Sequence, residues 1–222
     1  MNDLPTVSIC TPTYNRREFF GKLIDMVNKQ DYPKELIQWV IVDDGEDKIK
    51  DMIDDNIEID NVEYVELDKK IPIGEKRNLM YNYCNGDILV YMDDDDYYPS
   101  TRISHAVDML IKTPNALCAG CSKIYVYFTE SEEMLRFGPY NDNHATANTF
   151  AFWRKLLDQT EYDNRAGVSE EKYFLKNYTI PFVQLDVMKT ILVISHKTNT
   201  FDKNKIKKYS KKSKKTFSDF IL

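Results

Sequence analysis

The sequence of 222 residues is poor in glycine, proline and cysteine and has no long apolar run. With seven Gly, eight Pro and 42% hydrophobic residues, it lacks the composition of a disordered or low-complexity chain and has enough apolar residues for one packed core. No run approaches the about 18 apolar residues of a membrane-spanning helix, and no signal-type segment follows the N-terminus. We therefore expect one soluble, globular domain.

The four cysteines are too few to hold a chain of this length together with disulfides. Cys10 and Cys84 stand singly in apolar surroundings. Cys118 and Cys121 form a CxxC pair, but the chain has no second pair and no histidine at ligand spacing. We expect the CxxC thiols to be core residues rather than a redox pair or half of a zinc site, and we expect the protein to be cytoplasmic.

Positive charge is scarce outside one C-terminal segment. The chain has 30 basic and 36 acidic residues, and residues 203–215 alone contain eight lysines. The rest of the chain therefore carries 22 basic and 36 acidic residues, a balance of −14. An acidic body argues against a nucleic-acid partner.

The first half of the chain alternates short apolar runs with segments of helical periodicity. Near-continuous apolar strands that alternate with amphipathic helices are typical of a parallel sheet covered on both faces. The predicted strands are 6–11, 38–42, 62–67 and 87–92, and the predicted helices are 16–29, an acidic segment around 49–53, and 74–84. The first strand should end at Pro12.

The second half is less periodic. We predict a helix at 101–112, one strand at 116–128, one strand at 146–153, and a helix near 169–177. No internal repeat and no linker rich in Gly, Pro or Ser is present.

Polar loops follow the four strands of the first half. Ligands of parallel sheets bind beyond the carboxyl ends of the strands, so these loops should converge on one edge. The four loops are Pro12–Arg16, Asp43–Glu46, Asp68–Gly74 and Asp93–Tyr98.

The run of four aspartates at 93–96 directly follows the apolar strand DILVYM. If the chain stays extended, Asp93 and Asp95 share one face while Asp94 and Asp96 point away. Two carboxylates on one face repel each other unless a cation joins them, and oxygen ligands suit Mg²⁺ or Mn²⁺. A solvated acidic turn is the alternative. Because no GxGxxG or GxxxxGK[ST] loop is present to hold phosphates, a metal ion would take that role.

Four motifs, VSICTPTYNR, WVIVDDG, IGEKRN and GDILVYMDDDD, resemble in order and separation those of the inverting family 2 glycosyltransferases. The resemblance covers roughly residues 5–200. It implies an α/β GT-A (Rossmann-like) fold, with a mostly parallel sheet and helices on both faces, and a divalent cation, Mn²⁺ or Mg²⁺. The implied reaction moves a hexose, with inversion, from a nucleotide-diphosphate sugar such as UDP-hexose to an acceptor hydroxyl on a glycan, lipid or protein.

The resemblance divides the chain into a single catalytic domain and a tail. A nucleotide-binding half spans about 1–98 and an acceptor half about 99–202, and a Lys-rich tail covers 203–222. Two other functions remain open: a catalytically inactive nucleotide-sugar-binding module, and a nucleotidyltransferase, which usually has a glycine-rich loop after its first strand. A glycosidase needs no nucleotide pocket.

The resemblance also assigns the donor contacts. Pro12 and Tyr14 match the loop that packs against the donor base, and Asp44 matches the acid that accepts a base N–H. Simple packing of Tyr14, a turn-forming Asp44 and a solvated helix face carrying Lys76 and Arg77 are the alternatives. The full set of candidate donor-binding residues is Pro12, Thr13, Tyr14, Asn15, Arg16, Asp43, Asp44, Arg77, Asp93 and Asp94.

For the metal, the resemblance points to the DxD aspartates and a late histidine. Asp95 is expected to contact the cation directly, and Asp93 the cation or the ribose, a role that Asp94 could share. His196 resembles the histidine that completes the metal site or touches the diphosphate, although a lone histidine is often only structural. The neighbouring Thr198 and Asn199 could donate to phosphate oxygens.

The general base is expected in the segment SEEKYF at 169–174. An inverting transfer needs a base to take the proton of the acceptor hydroxyl. Glu171 matches the usual position, where most relatives have Asp, and Glu170 is a second candidate. The structural alternative is an acidic pair that stabilises the start of a helix.

The Lys-rich tail lies outside the family pattern. Read as a helix, it would align Ile206, Tyr209, Ser213, Phe217 and Phe220 in a narrow apolar stripe between lysines, followed by Ile221 and Leu222. Such a segment could contact an anionic membrane surface weakly, which would make the protein peripheral to a membrane. A solvated, disordered tail is the favoured alternative.

Overall fold

The computed structural model describes residues 4–53, 57–165, 170–199 and 201–220. These residues form two β-sheets with helices packed against them. In chain order the strands are β1 (Val7–Thr13), β2 (Ile37–Asp43), β3 (Asn61–Glu66), β4 (Ile88–Tyr91), β5 (Cys118–Gly120), β6 (Ile124–Phe128), β7 (Glu133–Phe137), β8 (Ala151–Trp153), β9 (Phe182–Gln184), β10 (Val193–Ser195) and β11 (Lys211–Lys212). The α-helices are α1 (Arg17–Asn28), α2 (Ile73–Tyr81), α3 (Arg102–Lys112) and α4 (Glu171–Phe174).

The larger sheet has seven strands in the order β3-β2-β1-β4-β8-β5-β9. Only β8 runs antiparallel to its neighbours, so the sheet is mostly parallel. Every residue of β1, β2 and β4 is buried, as expected for strands covered on both faces. The predicted α/β fold class is confirmed.

The two faces of this sheet carry separate apolar clusters, because alternate side chains of a strand point in opposite directions. In β4, Ile88 and Val90 pack in the cluster that also holds buried residues of α1 and α3. Leu89 and Tyr91 pack in the second cluster, with Met80 of α2 and Phe174 of α4. Helices therefore cover both faces, as the sequence predicted.

The end of β1 differs from the prediction, since the strand continues through Pro12 to Thr13. Pro12 stands in register with Val42 of β2, but the pairing of β1 with β4 stops at Cys10 and Tyr91. A residue without an N–H is tolerated there because one side of the strand is no longer paired.

The prediction of one strand within 116–128 was wrong. The chain forms β5 and then β6, with Cys121–Lys123 between them. β5 pairs with β8 and β9 in the large sheet, while β6 pairs with β7 and β10 in the second sheet of order β10-β6-β7-β11. A single straight strand could not serve two separate sheets. Cys118 and Cys121 are buried free thiols, as expected.

Three other elements are shorter than predicted. The segment around 49–53 forms only a 3₁₀ turn at Lys50–Met52, and 146–153 contains a 3₁₀ turn at Ala147–Thr149 before β8. The Thr149 hydroxyl donates to the Thr146 carbonyl and accepts from the Cys121 amide, which holds that turn. The helix near 169–177 covers Glu171–Phe174 only, because residues 176–178 adopt left-handed backbone conformations.

The C-terminal segment is neither a continuous helix nor disordered, so both readings of the tail were wrong. It forms 3₁₀ turns at Lys203–Tyr209 and Phe217–Asp219, and between them β11 pairs antiparallel with β7. The edge of β7 supplies backbone partners, and Phe220 is buried in a cluster with Met134 and Leu192.

Two side chains of the predicted stripe, Ile206 and Phe220, are thus packed inside the molecule, while Tyr209 and Phe217 stay exposed. Ile206 packs against the main core. The segment therefore lacks the continuous helical stripe on which the membrane contact was based. Ile221 and Leu222 lie outside the described residues. None of the helices in the described ranges has the length and apolar character needed to span a bilayer.

We expect Phe220→Ala to release the tail from the second sheet. Phe220 is only 2% exposed, and truncation of a buried Phe costs about 3 kcal/mol. Local opening of β11 should then become on the order of a hundredfold more frequent. Hydrogen exchange of the β11 amides measures this opening. Phe217→Ala is the matched control because Phe217 is 37% exposed; equal exchange rates in the two variants would contradict the assignment.

Candidate functional site

A cavity of about 420 Å³ lies at the carboxyl ends of β1 and β4, between the two sheets. Three of the four predicted loops reach it. The first contributes Pro12 and Tyr14, the third contributes Ile73, and the fourth contributes the acidic run. The remaining loop, Asp43–Glu46, lies behind the cavity and supports it. The expected convergence of loops on one sheet edge is therefore observed for the three that line the cavity.

Asn15 and Asp43 hold the loops together instead of lining the cavity. The Asn15 side-chain oxygen accepts from the amides of Glu46 and Asp47 at 2.7 and 3.1 Å. The buried Asp43 carboxylate accepts from the Gly45 amide at 2.9 Å and from the Tyr64 hydroxyl at 2.7 Å. A Cβ at Gly45 would approach the Asn15 amide to 2.6 Å, so the close contact of the two loops requires glycine there.

Asp44 is buried one layer behind the cavity wall. One of its carboxylate oxygens accepts from the Ile71 amide at 2.9 Å, and the other pairs with the Lys76 ammonium. Lys76 also donates to the Thr13 carbonyl at 2.9 Å and lines the cavity. Both Lys76 and Arg77 are buried, so the alternative of a solvated helix face was wrong.

Arg77 connects two groups of acids in the cavity. Its guanidinium lies 3.7 Å from the Asp93 carboxylate and 3.3 Å from the Glu170 carboxylate. The rings of Tyr91 and Tyr162 pack against it, with their centroids 4.4 and 5.4 Å from Cζ. This buried cation fixes the acidic run beside the segment that begins α4.

The acidic run is a turn, because β4 ends at Tyr91. The predicted alternation of side chains was therefore wrong: Asp93, Asp94 and Asp95 all line the cavity. Arg16 lies 3.8 Å from Asp94 and 3.9 Å from Asp95. Asp96 turns away, where its carboxylate accepts from the Ile194 amide at 2.9 Å and from the Asn148 side chain at 2.8 Å.

The carboxylates of this turn have different proton affinities. Burial raises the pKa of Asp93 to about 6, against the opposing charge of Arg77. Burial and the charge of Asp95 raise the pKa of Asp94 above its ordinary value. Burial also acts on Asp95, but the hydrogen bond from His196 and the charge of Lys203 outweigh it and lower the pKa. Asp95 is thus the carboxylate of the turn that stays ionised most readily.

His196 lies directly beside Asp95. Its Nε2 is 3.1 Å from Asp95 Oδ2, and the Asn199 side chain donates to the same oxygen at 3.0 Å. Phe19 packs on the imidazole with ring centroids 4.5 Å apart. The structure thus brings together two of the predicted metal ligands, while Asn199 lines the cavity.

Within the described ranges, no group of three or more His, Cys, Asp or Glu side chains forms a ready-made metal site. The donor set nevertheless fits a divalent cation. Asp93 Oδ1 is buried without a hydrogen-bond partner, and Asp95 and His196 are adjacent. Mg²⁺ and similar ions are commonly held by one or two carboxylates, with substrate phosphates and water completing the shell.

The two glutamates at the start of α4 have different surroundings. The Glu170 carboxylate is held by Arg77. Glu171 also lines the cavity, and burial and then the charge of Glu170 raise its pKa. A carboxylate with a raised proton affinity and no buried cation clamped to it is the better proton acceptor of the two.

An aromatic rim beside Glu171, formed by Tyr140, His144 and Tyr178, was not foreseen from the sequence. The Tyr140 and His144 ring centroids are 4.6 Å apart, and those of His144 and Tyr178 are 5.1 Å apart. Burial and then the charge of Glu171 raise the pKa of both phenols. Tyr178 is the last of three consecutive residues with left-handed backbone conformations.

The cavity is also lined by residues that the sequence analysis did not assign to the site. Asn148 comes from the 3₁₀ turn before β8, and Phe201, Lys203 and Ile206 come from the C-terminal segment. Only the charge of Lys203 and its place at the start of the basic run could have drawn attention to it.

Comparison with known proteins identifies the family of this chain. The family model described as "Glycosyl transferase family 2" matches residues 8–171. Among curated proteins, poly(ribitol-phosphate) beta-N-acetylglucosaminyltransferase TarS of Staphylococcus aureus is 28% identical over 101 residues, which cover 45% of this chain and 18% of TarS. Glycosyltransferase AglE of Haloferax volcanii is 32% identical over 94 residues, covering 41% of this chain and 31% of AglE.

Solved structures show the same fold at low sequence identity. TarS 1–349 of S. aureus in complex with UDP-GlcNAc superposes with a TM-score of 0.70 at 17% identity, covering 88% of this chain and 60% of that one. Mannosyltransferase PcManGT of Pyrobaculum calidifontis in complex with GDP-Man and Mn²⁺ gives 0.67 at 17% identity, covering 90% and 59%. This chain therefore spans less than two thirds of these relatives. With a mostly parallel sheet of this order and a family match over residues 8–171, the chain belongs to glycosyl transferase family 2 and has the GT-A fold.

Proposed function

We propose that this protein is a metal-dependent, inverting glycosyltransferase that uses a UDP-hexose donor and an acceptor hydroxyl on a glycan, lipid or protein. The buried Arg77 is the observation that carries the proposal. Because it contacts both Asp93 and Glu170, it holds the acidic turn and the start of α4 against one cavity. Groups suited to a diphosphate and a base suited to an acceptor thus face the same space.

The nucleotide is proposed to lie over the end of β1. Pro12 and Tyr14 line this part of the cavity, and Lys70 packs 3.8 Å from the centroid of the Tyr14 ring. Asp44 is engaged by the Ile71 amide and Lys76, so it holds this wall in place behind the base. The donor preference for UDP is supported by the neighbour with UDP-GlcNAc, while PcManGT carries GDP-Man.

Asp95, His196 and Asp93 are the residues proposed to hold Mn²⁺ or Mg²⁺. A bound divalent cation would offset the negative charge that develops on the leaving diphosphate. The protein's part is to keep Asp95 ionised, through His196 and nearby cations, and to leave an oxygen of Asp93 free. PcManGT, which shares the fold, is a complex with Mn²⁺.

In the proposed reaction, Glu171 accepts the proton of the acceptor hydroxyl. The acceptor oxygen forms a bond to the anomeric carbon from the face opposite the diphosphate. The bond between that carbon and the diphosphate oxygen breaks, and its electron pair leaves with the diphosphate. One displacement of this kind inverts the anomeric configuration. Arg77 keeps Glu170 paired, so the proton goes to Glu171.

A screen for ligands and products tests this function. UDP-hexoses and GDP-hexoses are added to the protein with Mn²⁺ or with EDTA, and thermal unfolding is followed. We expect a UDP-sugar with Mn²⁺ to stabilise the fold, and NMR of the transfer product to show an inverted anomeric centre. Retention of configuration would contradict the single displacement, and stabilisation by neither nucleotide would contradict the donor assignment.

We propose that the acceptor enters over the aromatic rim. Tyr140 is 54% exposed, and burial and then the charge of Glu171 raise its pKa. A sugar ring stacked on this side chain is proposed to direct a hydroxyl toward Glu171. Tyr140→Ala should lower transfer to a panel of p-nitrophenyl glycosides about fivefold. Tyr173→Ala, at 57% exposure, is the matched control. Equal transfer by both variants would place the acceptor elsewhere.

A further inference from the structure

The C-terminal basic segment, which follows the family match, forms part of the cavity wall. Phe201, Lys203 and Ile206 line the cavity together with the acidic turn. The family model ends at residue 171, so these side chains belong to a part of the chain that the family match does not cover.

Several contacts keep this segment in place. The Asp202 side chain caps the turn at Lys203–Tyr209 by accepting from the Asn204 amide at 3.0 Å. Lys207 bonds to Ser131 and Glu133 and lies 4.2 Å from the centroid of the Phe128 ring. The pairing of β11 with β7 and the burial of Phe220 fix the segment further along. Lys203 is therefore held at the cavity by folded structure on its C-terminal side.

Lys203 differs from the other cationic side chains of the cavity in the partners that it contacts. Among the residues that the structure describes, four cationic side chains line the cavity: Arg16, Lys76, Arg77 and Lys203. The first three face carboxylates: Arg16 faces Asp94 and Asp95, Lys76 pairs with Asp44, and Arg77 lies against Asp93 and Glu170.

Lys203 donates to the backbone carbonyl of Ile194 at 3.1 Å, and this is its one hydrogen bond within the described part of the chain. The charge of Lys203 acts on Asp93, Asp95 and Asp96 at longer range, but no described carboxylate lies within ion-pair distance of its ammonium. The bond to a neutral carbonyl leaves two of its three N–H donors unused. Lys203 is accordingly the cavity cation best able to bind an incoming anion.

We infer that Lys203 binds the diphosphate of the nucleotide-sugar donor and that the C-terminal segment is a functional wall of the donor site. The inference rests on the proposed function, because the anion is the donor's own diphosphate. Before binding, the Ile194 carbonyl holds the ammonium at the cavity. When the donor binds, the free N–H groups donate to diphosphate oxygens and offset part of their charge.

Binding of nucleotides with and without phosphates tests the inference. Affinities for UDP, GDP, uridine and guanosine are measured by calorimetry on the full chain with Mn²⁺ and with EDTA. Lys203→Gln should weaken the affinity for the nucleoside diphosphate that binds by about tenfold or more, the scale of a charge-assisted hydrogen bond. Its affinity for the matching nucleoside should stay within about twofold, since a nucleoside has no phosphate for Lys203 to bind.

Two variants separate a phosphate contact from a structural effect. Lys205→Gln makes the same charge change on an exposed lysine two residues away and should keep the diphosphate affinity of the wild type. Lys203→Arg keeps the charge and should restore most of the affinity. Thermal unfolding without ligand checks that each variant is folded.

The outcomes distinguish the inference from the function on which it rests. If Lys203→Gln binds the diphosphate as tightly as the wild type, or weakens nucleoside and diphosphate alike, the inference is overturned while the proposed function stands. An equal loss in Lys205→Gln would also overturn it, because general charge would then explain the effect. A wild type that binds neither UDP nor GDP would overturn the proposed function and this inference together.

Discussion

Glu171→Gln is expected to bind the donor normally and to transfer the sugar at least about a hundredfold more slowly, the usual scale for loss of a general base. Gln has nearly the same shape but cannot accept the proton of the acceptor hydroxyl. Donor affinity should persist because the residues proposed to contact the diphosphate and the nucleotide base lie on other segments of the cavity. Single-turnover transfer rates and UDP titrations measure the two effects separately.

Glu170→Gln is the matched variant. It removes the partner of Arg77 at 3.3 Å and leaves Glu171 able to accept a proton. We expect Glu170→Gln to disturb the position of Arg77 and to retain base catalysis, which appears as an intact acidic limb in the pH profile. If turnover is lost in Glu170→Gln and near normal in Glu171→Gln, the base is Glu170.

The pH profile supplies an independent check on the base. Burial and the charge of Glu170 raise the pKa of Glu171, and only the ionised carboxylate can accept a proton. Transfer should therefore fall as the pH drops through this raised pKa, above the ordinary glutamate value of about 4.3. Glu171→Gln should remove that acidic limb from kcat/KM. If the acidic limb is unchanged in Glu171→Gln, a group other than Glu171 is responsible for it.

Asp95→Asn is expected to abolish the part of donor binding that depends on Mn²⁺. The surroundings of Asp95 lower its pKa, so its negative charge is available to a cation. Asn removes that charge but keeps a side-chain oxygen that can contact His196 and Asn199. In the wild type, UDP at about 100 times its Kd should add about 2.7 kcal/mol of stability. That corresponds to a Tm increase of about 5–10 °C.

In Asp95→Asn the Tm increase with UDP should be the same in Mn²⁺ and in EDTA. Asp68→Asn serves as the control, because it makes the same charge change in an exposed position of a loop at the same sheet edge. A variant that keeps the wild-type response to Mn²⁺ would remove Asp95 from the metal site. The unliganded Tm of each variant shows whether the turn itself has been disturbed.

Much of the fold follows from local patterns. Continuous apolar runs predicted strands buried on both faces, and β1, β2 and β4 are fully buried. Two predictions failed because the pairing partners were distant in sequence. The 116–128 run changes sheets at Cys121–Lys123, and β11 exists only because β7 offers an edge. Propensity and periodicity carry no information about such pairings.

The sequence by itself predicted which residues are candidates for the site and that they lie at the sheet edge. A buried strand followed by aspartates, and a motif order resembling a known family, were enough to name Asp93, Asp95, His196 and the pair Glu170 and Glu171. The reason is that the hydrophobic period and the residues after a strand are local properties, readable without the fold.

Only the tertiary structure decided which of these groups are free to act. Arg77 pairs with Glu170 across 93 residues of chain, while Glu171 has no ion-pair partner among the described residues. The turn after β4 brings Asp94 into the cavity with Asp93 and Asp95. Lys203, from a segment read as a disordered or helical tail, lines the same cavity without a carboxylate partner among the described residues. Charge pairing depends on distances between residues far apart in sequence, and only packing of the whole chain sets those distances.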